Sequence, residues 1–305
     1  MCDLIVDCDP GHDDAVALAV AAHRGRLLGV TTVAGNVGLE DTTRNALAIV
    51  QLLGIDVGVH AGAAAPLHGG PVEHAAHVHG ENGLAGATLP TVRRTVASDD
   101  AAGFLVETTE QHEGAWIVAT GPLTNVALAL QRDRTLTDRI AGISIMGGGT
   151  FGNVTAVAEF NIHFDPEAAD IVLRCGTRLA MCGLDLTRQL LVDEAMVSRS
   201  RALGNVFGRF AADFLGGYLA NIRALGGDGH DAALHDPCAV LAVTDPHLLD
   251  VTPRPVVIET AGEHTRGMTV VDQRPWVRGG NVQWAHTIDA SAATDAVLAA
   301  FADAP

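Results

Sequence analysis

Leu4-Ile5-Val6-Asp7-Cys8-Asp9-Pro10-Gly11-His12-Asp13-Asp14-Ala15 begins as an apolar run, breaks at Asp9-Pro10-Gly11, and resumes with two acids ahead of Val16, Leu18, Ala19 and Ala22. A short apolar run of this kind reads as a buried strand, the Pro-Gly pair as a turn, and the spaced apolar residues after Asp13 as a helix. Leu27 to Val33 then reads as a second strand, Leu39 to Leu53 as a second helix and Val57 to His60 as a third strand. This alternation predicts an α/β fold, an open and mostly parallel central sheet flanked by helices with a Rossmann-like core.

The alternation resumes after a Gly/Pro/His-rich loop from Ala61 to Pro90. Helices are expected near Ala101 to Gln111, after Pro122, at Pro166 to Arg174, Glu194 to Leu203, Phe207 to Arg223 and Pro237 to Val243. Strands are expected at Trp116 to Ala119, Ile143 to Met146 and Leu179 to Cys182, and Pro255 to Ile288 looks strand-rich before a closing helix from Ala290 to Phe301. No linker or fixed-period repeat interrupts the 305 residues, so residues 1–305 are expected to form a single domain. Open α/β sheets bind ligands outside the carboxyl ends of their strands. Asp7, Asp9, Thr120, Gly147 and Asp185 fall at or just past such ends, and one shared pocket accounts for them economically.

The 19 Lys+Arg against 36 Asp+Glu give a formal net charge of -17, which repels phosphate backbones and anionic membrane surfaces. Nucleic acid and membrane are therefore not expected partners, and a neutral solute or a cation suits the surface better. The five cysteines form no C-x-x-C pair and several sit in apolar runs, so they read as reduced and buried. With neither a signal-type N-terminus nor an apolar run approaching ~20 residues, a cytoplasmic protein is expected.

Asp7, Asp9, Asp13 and Asp14 place four carboxylates in eight residues. Close like charges raise one another's pKa and cost folding energy unless a positive charge offsets them. Helix capping explains Asp13 or Asp14, but not Asp7 and Asp9 at the strand end. A divalent metal ion would explain all four, and hard carboxylate oxygens with no nearby thiolate donor favour Ca²⁺ or Mg²⁺ over zinc. Asp13 and Asp14 point ~100° apart on a helix and should have different tasks.

The segment also resembles the D-x-D-P-G-x-D-D-A signature of the inosine-uridine-preferring nucleoside hydrolase family. Further matches include Val33-Ala34-Gly35-Asn36, His77-Val78-His79-Gly80, Thr120 to Asn125, Met146 to Gly149, Ala158-Glu159-Phe160-Asn161, Asp165 to Ala169 and His235-Asp236-Pro237-Cys238-Ala239. The resemblance implies the nucleoside hydrolase fold and cleavage of the N-glycosidic bond of ribonucleosides by water. It further implies a role in purine or pyrimidine salvage and a homodimer or homotetramer. It also implies a Ca²⁺ ion held by Asp9, Asp14, the Thr120 carbonyl and Asp236, with Asp9 as general base and His235 as the acid for the departing base. Asp13, Asn36, Asn153, Glu159 and Asn161 would bind the ribose, and His79 would approach the base from a loop. An extended Glu159-Phe160-Asn161 would aim its first and third side chains the same way. Asp236-Pro237 also suits an N-cap followed by a first helical residue. Relatives that prefer inosine and uridine carry aromatic residues on the helix before His-Asp-Pro, where this chain has only Phe214 and Tyr218, so broad and pyrimidine-preferring substrate ranges both stay open.

Four other readings compete. Gly147 to Gly152 matches G-x-G-x-x-G, but the β-branched residues after it do not open a helix, which argues against a dinucleotide site. A phosphotransferase with a strand-end Asp nucleophile lacks the usual Thr/Val after its Asp-x-Asp. His60, His68, His74, His77 and His79 lack a carboxylate or Cys at zinc spacing, and read better as part of a lid. A non-catalytic nucleoside-binding protein would not need the acid and the base as well as the metal ligands.

Overall fold

The computed structural model describes residues 1–70, 74, 83–84, 87–224 and 232–305. β1 (Asp3–Cys8), β2 (Arg26–Thr32) and β3 (Val59–Ala61) alternate with α1 (His12–Arg24) and α2 (Leu39–Leu52). α3 (Ala101–Gln111), β4 (Trp116–Ala119), α4 (Thr124–Arg132), α5 (Leu136–Arg139) and β5 (Gly142–Met146) follow. Next come α6 (Phe160–Phe164), α7 (Pro166–Leu173), β6 (Leu179–Cys182), α8 (Leu184–Thr187), α9 (Glu194–Ala202), α10 (Val206–Ala224) and α11 (Asp236–Thr244). β7 (Leu249–Arg254), β8 (Val256–Ile258), β9 (Thr269–Val271), β10 (Val282–Ile288) and α12 (Ala290–Asp303) complete the chain.

Among the described residues, eight strands form one sheet in the order β3-β2-β1-β4-β5-β6-β10-β7, parallel except for the β10–β7 pair. β8 and β9 make a separate antiparallel ribbon. The chain winds outward from β1 to β3, then returns to the centre and winds the other way from β4. Loops leaving two strands at such a reversal diverge to opposite faces and open a crevice between them. Asp9 follows β1 and Thr120 follows β4, so both stand at that crevice.

Alternation along β1 sends Leu4, Val6 and Cys8 into the core shared with α1, α2, α10, α11 and α12, while Ile5 joins the opposite core beneath α3, α4 and α7. Every residue of α1 from His12 to Ala21 is buried. Its alanines keep the cylinder narrow, which lets α11, itself seated on β5 and β6, and α12 pack closely against it. Two polar ties fix neighbouring elements: Ser144 Oγ donates to Ala239 O at 2.7 Å, joining β5 to α11, and Asn125 Nδ2 donates to Thr32 O at 3.0 Å.

Several local expectations need correction. Gly11, not Asp13 or Asp14, is the N-cap of α1, and Asp14 reaches back to accept its N–H at 2.8 Å. Asp236 is the first residue of α11 and His235 the cap, one position off the expected Asp cap, because the Asp236 carboxylate is turned towards other acids. Glu159-Phe160-Asn161 is not extended: Glu159 caps α6, accepting from Ile162 N at 3.2 Å, and Asn161 lies inside that short helix. The β7 strand begins at Leu249, ahead of the expected strand-rich segment. Cys2 and Cys175 are only partly buried, although all five cysteines are free thiols. The Gly147 to Gly152 segment is followed by bends and not by a helix, as expected when the dinucleotide reading was set aside. No helix among the described residues is long and apolar enough to cross a membrane.

Leu18 is fully buried in α1, the helix that carries two of the acids. Leu18→Ala should cost ~2–5 kcal/mol, as truncation of a buried leucine does. Urea unfolding monitored by circular dichroism measures this directly.

Candidate active site

The acids at the crevice are buried. Asp9, Asp13, Asp14 and Asp236 are each under 5% exposed: 1%, 4%, 0% and 4%. Asp13 and Asp14 project from the first turn of α1, Asp236 from the first turn of α11, and the two helices pack side by side. Each of these three offers a carboxylate oxygen, and those oxygens lie within 4.8 Å of one another. Asp13 and Asp14 thus converge on one point despite their angular separation along the helix. Asp9 stands beside the group: its Oδ2 accepts the Asn36 N–H at 2.7 Å, and Asn36 Nδ2 donates to the Asp9 carbonyl at 3.1 Å. A Cβ on Gly35 would lie 2.1 Å from Asp9 Oδ2, and one on Gly121 would lie 2.6 Å from Oδ1, so only glycine lets the chain pass on either side of this carboxylate.

The electrostatics follow from this crowding. Burial pushes Asp9 and Asp236 well above the usual carboxylate range, and repulsion from Asp14 on Asp9 and from Asp13 on Asp236 adds to it. Asp14 is pushed up to about 7, by burial first and Asp13 second, while hydrogen bonds from Gly11 N and Thr120 Oγ1 oppose the rise. A carboxylate oxygen of Asp14 and one of Asp236 lie within 4.8 Å of each other, with no basic side chain between them among the described residues. Asp13 Oδ1 is buried with no hydrogen-bond partner. An all-oxygen donor set, one orphaned carboxylate oxygen and three converging buried acids together fit a hard divalent cation.

Asp7 does not join the group. Its Oδ1 accepts from Thr31 Oγ1 at 2.6 Å and Asn125 Nδ2 at 2.8 Å, and burial raises its pKa to about 6. It lies beneath the site as a structural acid, contrary to the expectation that the strand-end pair act together.

The other expected residues divide. Thr120 is buried; its hydroxyl donates to Asp14 Oδ1 at 2.7 Å, and its carbonyl accepts from Asn161 Nδ2 at 2.7 Å. Glu159 Oε2 accepts the Gly148 N–H at 2.9 Å, and burial lifts its pKa to about 7. Asn153 is exposed on the loop before α6, its Oδ1 accepting from Phe160 N at 3.0 Å. His235 Nδ1 lies 2.8 Å from Thr187 Oγ1, and burial holds its pKa below the ordinary value, with Asp13 opposing the shift. His79, and with it His77 and His230, lies outside the described residues. Phe214 is a core residue, and Tyr218 packs against His12 with ring centroids 3.8 Å apart and the rings tilted by 32°, while its OH donates to Ala233 O at 3.2 Å. Burial takes His12 down to about 3, so its ring packs as the neutral form.

Sequence reading gave no role to Thr187 or to Asn125. Thr187 lies two residues after Asp185, which was already marked as a strand-end acid, and Asn125 closes the Thr120 to Asn125 match. The residues just past strand ends were the available signal.

A carboxylate-lined crevice at the reversal of a parallel sheet is the kind of site an α/β metal-dependent enzyme uses. A family model described as inosine-uridine preferring nucleoside hydrolase matches residues 4–295, and the chain belongs to that family. The pyrimidine-specific ribonucleoside hydrolase RihA of Shewanella oneidensis is 42% identical over 277 residues, covering 89% of this chain and 87% of its own. RihA of Enterobacter sp. (strain 638) is 43% identical over 274 residues, covering 88% and 87%. Among solved structures, the purine-preferring ribonucleoside hydrolase from Gardnerella vaginalis matches with a TM-score of 0.92 at 33% identity, covering 98% of each chain. An inosine-guanosine nucleoside hydrolase matches with a TM-score of 0.88 at 26% identity, covering 100% of each. The chain is accordingly a hydrolase acting on ribonucleosides.

Because Asp14 and Glu159 bind protons more tightly folded than unfolded, the stability they contribute in metal-free protein is present below their ordinary values of 3.8 and 4.5. It is lost as pH rises to about 7. Metal-free protein should therefore show a falling Tm across that window, and a divalent cation should raise Tm most at its upper end. Calorimetric scans with and without chelator test this; a Tm gain from cation that shrinks as pH rises would contradict it.

Proposed function

We propose that this chain hydrolyses the N-glycosidic bond of pyrimidine ribonucleosides, with Ca²⁺ as its ion. The observation that carries the reading is the buried Asp13, Asp14 and Asp236 group beside Asp9 at the β1–β4 crevice. Its oxygen donors suit Ca²⁺, for which Asp9, Asp14, the Thr120 carbonyl and Asp236 are the proposed ligands. The bound ion would supply Lewis-acid charge to the attacking water and to the ribose 2′- and 3′-hydroxyls.

The remaining work belongs to the chain. Asp9, basic through burial and held by the Asn36 N–H at one oxygen, takes the proton of the attacking water at the other. The water oxygen bonds to the anomeric carbon as the bond to the base breaks, and the electron pair leaves with the base. Carboxylates around the sugar favour the oxocarbenium character that develops there. His235, whose Nδ1 is engaged by Thr187, gives the departing base a proton from its other nitrogen. Asp13, Asn36, Asn153, Glu159 and Asn161 hold the ribose hydroxyls, and His79 approaches the base. The pyrimidine preference rests on RihA relatives at 41% to 43% identity, against 33% for the purine-preferring structure.

Asp9→Asn should lower kcat by ~10²–10⁴-fold, the usual worth of a general base, while leaving the fold intact. Steady-state rates on uridine, cytidine and inosine, each as riboside and 2′-deoxyriboside, test the whole reading. Uridine and cytidine should lead, deoxyribosides should trail by ~10⁴-fold because a site built for a hydroxyl is left unsatisfied without one, and chelation should abolish turnover. Equal rates on deoxyribosides, or full activity in metal-free enzyme, would contradict it.

A further inference from the structure

We propose that Thr187 is a positioning residue for the leaving-group acid: its hydroxyl fixes which nitrogen of His235 faces the departing base. The inference rests on the reading of His235 given above and goes beyond it. Thr187 is fully buried at the last turn of α8, with Oγ1 2.8 Å from His235 Nδ1. Chance does not hold them together, because the segments that carry them are laddered. Leu234 N donates to Leu190 O at 2.8 Å and Val192 N to Ala232 O at 2.7 Å, and Leu191 and Ala233 form an antiparallel bridge. On the other side Tyr218 OH holds Ala233 O, two residues before the imidazole. The histidine is thus pinned at ring and backbone.

A threonine hydroxyl both donates and accepts, and a histidine's reactive nitrogen is set by the partner of the other. In the reacting enzyme the ring carries a proton on each nitrogen; with Thr187 Oγ1 accepting from Nδ1–H, the transferable proton is the one on Nε2. As the bond to the base breaks and its electron pair moves onto the base, the base takes the Nε2 proton. The ring is left as the neutral Nδ1–H form, still donating to Thr187, so the acid turns over without a ring flip. Water leaves its hydroxyl on the sugar and one proton on Asp9, and solvent then carries a proton from Asp9 back to His235 Nε2, which closes the balance. Thr187 acts only through His235, and its effect should be confined to leaving groups that need a proton.

The test compares kcat on uridine with kcat on p-nitrophenyl β-D-ribofuranoside, whose phenolate leaves without protonation. Thr187→Val keeps the shape and removes the hydroxyl, Thr187→Ser keeps the hydroxyl, and His235→Ala removes the acid. Thr187→Val should lower the uridine to p-nitrophenyl riboside ratio of kcat by about 10-fold or more, a share of the ~10²–10⁴-fold that general acids supply. Thr187→Ser should restore the ratio, with KM for uridine changed little throughout. A split in His235→Ala with none in Thr187→Val overturns the role of Thr187 alone. No split in His235→Ala overturns the acid assignment and this inference with it. A loss in Thr187→Val that is equal on both substrates marks a packing role and overturns the inference.

Discussion

Mutual repulsion among buried carboxylates is the constraint on which the rest of the structure depends. Two unit charges 4.8 Å apart repel by about 3 kcal/mol at an effective dielectric of ~20, and three such pairs among Asp13, Asp14 and Asp236 approach the whole folding stability of an ordinary domain. The site therefore cannot be fully ionised and uncompensated. Helix N-termini supply part of the compensation, since α1 and α11 both point their positive ends at the acids. Backbone and hydroxyl donors from Gly11, Asn36 and Thr120 supply more. What is left is met by protons, which the raised pKa values of Asp14 and Asp236 favour, or by a cation.

The fold serves that concentration of charge. A sheet that reverses its winding at β1 and β4 leaves room at one place, and an alanine-rich α1 sinks between sheet and helices so that its first turn faces that place. Glycines at 35 and 121 let two loops close over Asp9. Beneath them, Asp7 ties Thr31 and Asn125, and Asn125 Oδ1 in turn accepts from Ala63 N at 2.8 Å, so a buried acid braces β1 and β2 against the segments after β3 and β4. The same residue type ties neighbouring elements at position 7 and stands beside the acid group at position 9, because Asp7 lies within β1 while Asp9 lies past its end, in the turn before α1.

Much of this was legible from residue order. Apolar runs bounded by Pro, Gly or Asp located Trp116–Ala119, Leu179–Cys182 and Ala101–Gln111 to the residue, because hydrophobic periodicity and its punctuation act locally. The acids stood out because no local rule explains four of them in eight residues. What was missed depended on tertiary partners. Glu159-Phe160-Asn161 has the period of a strand, yet Gly148 N and Ile162 N both converge on the Glu159 carboxylate and turn the chain into a helix. Asp236 could have capped its own helix, but Asp13 and Asp14 sit opposite it. Thr187 is an ordinary threonine until the ladder at residues 190–192 and 232–234 brings His235 to it.

In the function proposed above, a divalent cation replaces protons in a carboxylate group the fold has crowded. Titration of Ca²⁺ into metal-free protein, by calorimetry at neutral pH in two buffers of different ionisation enthalpy, counts the protons that leave as the ion binds. Tight binding with release of protons as the ion binds is the expected result, given an Asp14 pKa of about 7 and Asp9 and Asp236 both raised well above the usual carboxylate range. Binding with no proton release, or no binding at all, would contradict it.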